Sequence, residues 1–295
     1  MLKAVFVSDL HVGSHTALCD PAVSNRNSPG KEIQKALFNK WRAAATGAWA
    51  RPDALIVNGD AVDGQGSKQG GVHQWTTDPV EQVAHAVELI NMWKAKRVYI
   101  IGGSGYHVQI KDSGVSAEEM LGEKLHAEEY PNQEHIKLAD RRRSGPQWFL
   151  TFEKATVHIA HHVSVSKVFA YMSTPIAREM MAAKLNDPMR HAWQRMYAQS
   201  NQRTAALDLM ESMSAFKTRW VIRGHAHYFW LCDSGGMIGC NLPAWKCPDP
   251  WLQEKNPLAN GHIGFLGMKI NGSEVSYEKN ICGTEDVSQI PHTVI

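Results

Sequence analysis

Few features of this sequence place it outside the ordinary globular class. Its 295 residues hold only five cysteines, Cys19, Cys232, Cys240, Cys247 and Cys282, an odd number with no CxxC pair. That spacing argues against a disulfide framework and for free thiols in a reducing compartment. No run approaches the ~20 apolar residues of a membrane-spanning helix, and no basic leader precedes the first apolar segment. Neither charge dominates, since the formal net charge is +2, so the balance alone points to no acidic or basic partner. Internal repeats and low-complexity tracts are absent as well. A cytoplasmic protein with no membrane contact is expected, and its oligomeric state stays open.

What is present is an α/β rhythm. Leu2 to Val7 is a mostly apolar run followed by Ser8-Asp9-Leu10-His11. A helix is expected from Ser28-Pro29, with Ile33, Leu37, Trp41, Ala44 and Ala48 as its stripe. Ala54 to Val57 leads into Asn58-Gly59-Asp60-Ala61-Val62-Asp63-Gly64, and a glycine-rich loop with His73 and Trp75 follows. Asp78-Pro79 reads as a capped helix start, with Val80, Val83, Val87 and Ile90 buried. Val98 to Ile101 is a third strand, ending in Gly102-Gly103-Ser104-Gly105-Tyr106-His107. Strand, helix, strand, helix, strand with polar residues after each strand is the βαβ pattern.

After residue 145 the pattern changes. Trp148 to Phe152 and Thr156 to Ala160 read as a hairpin ending at His161-His162. Residues 174 to 216 are helical in pattern, with a fresh start at Asn186-Asp187-Pro188. Trp220 to Arg223 is a strand feeding Gly224-His225-Ala226-His227. Gly236 to Asn241, His262 to Ile270 and Val275 to Glu278 follow as strands, the last two joined at Asn271-Gly272. One domain spanning 1–295, with a helical insertion at about 164–217, is the expected organisation.

Collected in order, the strand-end residues are Asp9, His11, Asp60, Asp63, His107, His161, His162, His225 and His227. Singly, each reads as a turn former or a hydrogen-bonded histidine. Together, imidazoles and carboxylates at the carboxyl ends of successive strands are the donor set of a divalent-metal site.

The blocks Asp9-Leu10-His11, Gly59-Asp60-Ala61-Val62-Asp63, a lone His161 and Gly224-His225-Ala226-His227 resemble the calcineurin-like metallophosphoesterase superfamily over residues 5 to 228. The altered third block and Ala160-His161-His162-Val163 look similar to a phage- and prophage-associated branch. The resemblance implies a four-layer α/β/β/α sandwich with a dinuclear centre of Mn, Fe or Zn. Asp9, His11 and His227 would hold one ion, Asp60 would bridge, and His161 and His225 would hold the other. Asp63 would orient a ligand. Where the family has an Asn ligand, this chain has Ser104, so Ser104, a backbone carbonyl or water would have to replace it, or the centre is mononuclear. His107 would steady or protonate the leaving oxygen. His162 remains an alternative to His161.

The resemblance implies hydrolysis of a phosphoester by metal-activated hydroxide, leaning to a phosphodiester, with nucleic acid among the candidate substrates. Alternatives are a monoesterase acting on a nucleotide or phosphoprotein, and a non-catalytic metal-binding scaffold. Arg141 to Arg143 and Arg223 could follow a phosphate backbone, and Trp75, Trp245 and Trp251 could stack bases. The segment 164–217 reads equally as a lid or as a packing layer, and 242–262 as a rim of the site or a connection.

Overall fold

Strand β1 (Leu2–Val7) sets the layering. Its alternate side chains point to opposite faces: Val5 and Val7 enter a core with helices, Ala4 and Phe6 a second core facing another sheet. In this computed structural model the described residues are 1–23, 28–66, 70–110, 114–131, 133, 141–152, 155–165, 171–185, 218–249, 261–272 and 274–287.

The first half builds β2 (Ala54–Asn58), β3 (Val98–Ile101) and β4 (Ser144–Gly145) parallel to β1. The hairpin β10 (His262–Asn271) and β11 (Glu274–Gly283) adds antiparallel to the other side of β1. The order is β11-β10-β1-β2-β3-β4. The second sheet has the order β5-β6-β7-β9-β8. Its strands are β5 (Gln147–Phe152), β6 (Ala155–Ala160), β7 (Thr218–Arg223), β8 (Trp230–Ser234) and β9 (Met237–Asn241).

Helices α1 (Lys31–Thr46), α2 (Pro79–Asn91) and α4 (Ala117–Lys124) cover the outer face of the first sheet through Leu37, Trp41, Val83, Ile90 and Leu121. Ala4, Phe6 and Ile56 meet Val157, Ile159, Trp220 and Ile222 between the sheets. Helix α5 (Thr174–Leu185) sets Ile176 and Met180 on Val221 and Met237 of the far face. Each such aliphatic side chain contributes about 1.5–3 kcal/mol by leaving water. The layers therefore run α/β/β/α, as the strand alternation requires.

Several local expectations are corrected. Helix α1 begins at Lys31, capped by Gly30 rather than Ser28. Its buried stripe is Gln34, Leu37, Trp41 and Ala45, one residue round from the apolar count. In α2 the cap is as expected, with Asp78 accepting from Val80 N. Val80 is 52% exposed, however, and Gln82 is buried in its place. The reason is polar: Gln82 bonds both Gly64 N and Gly64 O at 2.8 Å, pinning the loop after Asp63. The β10–β11 pairing puts Asn271 opposite Glu274, so Asn271 is a paired strand residue and not part of the turn. The expected helices across 186–216 lie outside the described residues. None of the five cysteines is in a disulfide, and no described helix is long and apolar enough to cross a membrane.

Candidate metal centre

The loops that carry the strand-end residues are laced together by backbone bonds. Asp9 N donates to Gly59 O (3.1 Å), His11 N to Asp60 O (2.9 Å) and Gly224 N to His161 O (2.9 Å). Because β1 and β2 are parallel, as are β6 and β7, their carboxyl-end loops leave on one edge and can bond in this way. The lacing holds an unusual backbone. Asp9, His11, Asp60, His225 and His227 all have φ between 46° and 67°. Non-glycine residues there cost on the order of 1 kcal/mol or more each, and such strain collects at functional sites. Gly59, at φ +76°, has no freedom to be anything else, since a Cβ would lie 2.5 Å from the His161 ring.

The strained turns aim donor atoms at one region. Asp9, His11 and His227 form one group that could hold an ion, and Asp60, His161 and His225 form another. A third, His11, Asp60 and His107, joins the two. The Nε2 atoms of His11 and His227 face each other at 3.2 Å, and His227 Nε2 is 3.2 Å from Asp9 Oδ1. Imidazole nitrogens sharing a tetrahedral ion at ~2.0–2.1 Å would stand at about that spacing. In the second group His161 Nε2 is 3.1 Å from Asp60 Oδ2. Asp9 Oδ1, His161 Nε2 and His225 Nδ1 are buried with no hydrogen-bond partner. Leaving such atoms unmatched costs about 1–3 kcal/mol each; a cation in the first group would satisfy Asp9, and one in the second would satisfy His161 and His225. The donor set fits divalent metal.

Surrounding groups fix which nitrogen is available. His161 Nδ1 donates to Asn58 O at 2.7 Å, and His107 Nδ1 to Asp63 O at 2.8 Å. His11 Nδ1 pairs with Asp63 Oδ1 at 3.0 Å. Each contact turns Nε2 toward the centre, the usual arrangement behind a metal-binding histidine. Asp63 is itself held by Lys246 Nζ at 3.1 Å and Gln74 Nε2 at 2.8 Å. Asp60 accepts from Ser104 N (2.7 Å) and Ser104 Oγ (2.9 and 2.7 Å). Asp9 Oδ2 accepts from Ser8 Oγ and His225 N.

The electrostatics describe a cluster short of positive charge. Burial would raise the Asp9, Asp60 and Asp63 carboxyls, yet neighbouring cations outweigh it and hold all three low. His161 acts on Asp9 and Asp60, and Lys246 on Asp63. Against its own burial, His161 is lifted to about 9, chiefly by Asp9 and Asp60. His107 goes the other way, pushed down to about 4 by burial and by His11. Protons on histidine supply the charge that metal ions would supply in their place.

Of the adjacent histidines, His161 lies in the Asp60 group; His162 is exposed, with its ring 4.8 Å from that of His225. His158 stacks on Phe149 at the sheet surface, as a strand residue. Two proposed nucleic-acid contacts are overturned. Arg223 is 3% exposed and pairs with Glu179 at 2.9 Å, and Trp245 is 2% exposed against Trp41. Arg141 and Arg143 pair with Glu129. Trp251 lies outside the described residues. Sequence reading missed Ser8, Asn58, Gln74 and Lys246. Ser8 and Asn58 stand one and two places before a block Asp, a signal of sorts; Lys246 had none. It arrives because Trp245 N donates to Asp9 O at 2.9 Å, so residues 242–249 reach the site.

No family model matches the sequence, and no curated protein matches it. Among solved structures the chain is similar to phosphoesterase and Vps29 folds. Vps29 from Entamoeba histolytica, complexed with Zn²⁺, aligns at TM-score 0.38 and 11% identity over 96% of this chain and 99% of that one. YfcE, a phosphoesterase from E. coli, aligns at 0.41 and 13% over 94% and 98%. An archaeal phosphodiesterase aligns at 0.35 and 10% over 94% and 99%. At such scores none of the three bears on function; the residues of the site do. The likeness to a phage- and prophage-associated branch gains no support from these structures.

Proposed function

We propose that the protein is a metal-dependent phosphoesterase, leaning to a phosphodiesterase, built on a dinuclear centre of Mn, Fe or Zn. The observation that carries this reading is a pair of donor groups, Asp9 with His11 and His227 and Asp60 with His161 and His225, in which Asp9 Oδ1, His161 Nε2 and His225 Nδ1 are buried without a hydrogen-bond partner. Asp9, His11 and His227 would hold one ion, His161 and His225 the other, with Asp60 shared. A pair of divalent ions supplies Lewis acidity and hydroxide at neutral pH.

The chain's own groups do the rest. Ser104 and Asn58 orient Asp60 and His161, and Asp63 orients His11 and His107. With its Nδ1 proton given to Asp63 O, His107 presents Nε2 to the centre. Its low pKa leaves that nitrogen unprotonated near pH 7; an anionic phosphate alongside would raise it and load the proton for the leaving oxygen. On the α5 side a cavity of about 590 Å³ is lined by Ser164, Val165, Tyr171, Thr174, Pro175 and Arg178. Nearby in the chain, Tyr228 Oη donates to Met172 O (3.2 Å) and Arg223 pairs with Glu179.

The test is hydrolysis of a chromogenic phosphodiester and its monoester by chelated protein with Mn²⁺ restored, beside Asp60→Asn. Metal-dependent diester cleavage, lost in the variant, is expected. Preference for the monoester would move the reading to a phosphatase. Bound metal without turnover of either would leave a binding scaffold.

A further inference from the structure

Building on the dinuclear reading, we propose that the two metal positions are unequal. The position at Asp9, His11 and His227 holds its ion tightly. The position at Asp60, His161 and His225 takes its ion weakly and keeps a coordination place open for a substrate oxygen.

The inequality follows from what the loop after β3 can offer. Gly103 cannot carry a donor, because a Cβ there would lie 2.2 Å from Asp60 Oδ1 and 2.3 Å from Asp60 N. Ser104 is occupied: its amide and hydroxyl both bond the Asp60 carboxylate at 2.7–2.9 Å. It therefore positions the shared carboxylate, and a neutral hydroxyl is in any case a poor ligand for a borderline ion. His162 is exposed and outside the Asp60 group, with its ring turned to His225. Among the side chains of the described residues the second position is left with Asp60, His161 and His225. A site with three protein ligands and one open place is the catalytic type rather than the closed, structural type.

The first position is better furnished. Asp60 lies within reach of His11 as well as of His161, so it can add to Asp9, His11 and His227. His11 is locked by Asp63, which is locked in turn by Lys246 and Gln74. The Lys246 charge that could repel an ion is balanced by Asp63 and Asp249, at 3.1 and 3.5 Å.

The experiment titrates chelator-stripped protein with Mn²⁺ by calorimetry and counts the metal retained after desalting. Two equivalents should bind at saturation, with affinities at least tenfold apart, and one should survive desalting. His227→Ala should remove the retained equivalent and His161→Ala the labile one. Inorganic phosphate titrated into wild-type protein should bind at two equivalents of Mn²⁺ and not at one, a readout that needs no variant to fold. Two equivalents of equal affinity, or phosphate binding unchanged between one and two, would overturn the inequality and leave the dinuclear reading standing. A single equivalent at saturation would overturn both.

Discussion

Lys246 Nζ lies 3.1 Å from Asp63 Oδ1, a buried contact between residues 183 positions apart. Asp63 in turn holds His11 Nδ1, so a lysine beyond the last strand of the second sheet steadies a candidate ligand at the end of β1. Lys246→Met leaves Asp63 buried without its main cation. Breaking one partner of a buried pair costs about 3–5 kcal/mol, and losing the support behind a histidine ligand typically costs 10–100-fold in metal affinity. Chemical denaturation should show a fall of that order, and calorimetry should show weaker binding of the first equivalent. A variant with unchanged metal affinity would make Lys246 merely structural.

Gly103→Ala tests the packing behind Asp60. The added methyl would meet the Asp60 carboxylate and backbone inside van der Waals contact. Overpacking of this kind costs about 1–3 kcal/mol, and the displaced carboxylate belongs to two of the three donor groups. Metal stoichiometry should drop and hydrolysis should fall at least tenfold.

The pH dependence of the metal-free protein can be stated with its sign. His161, raised to about 9, stabilises the fold fully below 6.5, and that contribution is lost as pH climbs through 9. His107 and His158, both lowered to about 4, must be charged on unfolding below 6.5, so stability falls as pH drops from 6.5 to 4. The depressed carboxylates Asp9, Asp60 and Asp63 lose their contribution at still lower pH. Denaturation in chelator should therefore show a maximum near pH 6.5, with decline on both sides. Metal affinity should rise as pH approaches 9, because binding must displace the proton on His161.

Glu118 is a fully buried carboxyl on α4, pushed up to about 8 by burial and by the charge of Asp60, with Oε1 unpartnered. A raised carboxyl loses stability for the fold as pH rises from its ordinary value of 4.5 through 8. Glu118→Gln keeps the shape and cannot ionise. It should match wild type near pH 4.5 and melt at a higher temperature at pH 9; a lower melting temperature at pH 9 would show that Glu118 is needed charged.

Much of the fold was legible because each early strand is a short apolar run stopped by polar or glycine residues, and Asp78-Pro79 marks a helix start by its own chemistry. Strand β8 was not, since Trp230–Ser234 is a half-exposed edge whose pattern carries no alternation. Short α3 (Gly105–Val108) and α4 were missed for want of an apolar stripe. Gln82 was passed over for Val80 because periodicity counts apolar residues, and what buries Gln82 is a pair of hydrogen bonds to a distant loop.

The sequence by itself determined which donor types stand at strand ends, and in what order, because those positions are local to each strand. Tertiary structure alone decided that the turns bearing Asp9, His11, Asp60, His225 and His227 adopt positive φ, since only bonds between neighbouring loops hold so strained a backbone. It also decided that Ser104 grips Asp60 and that Lys246 backs Asp63. Arg223 was withdrawn from the surface in the same way, by a partner on α5. Such contacts depend on where separate segments meet in space, and no local pattern of residues carries that information.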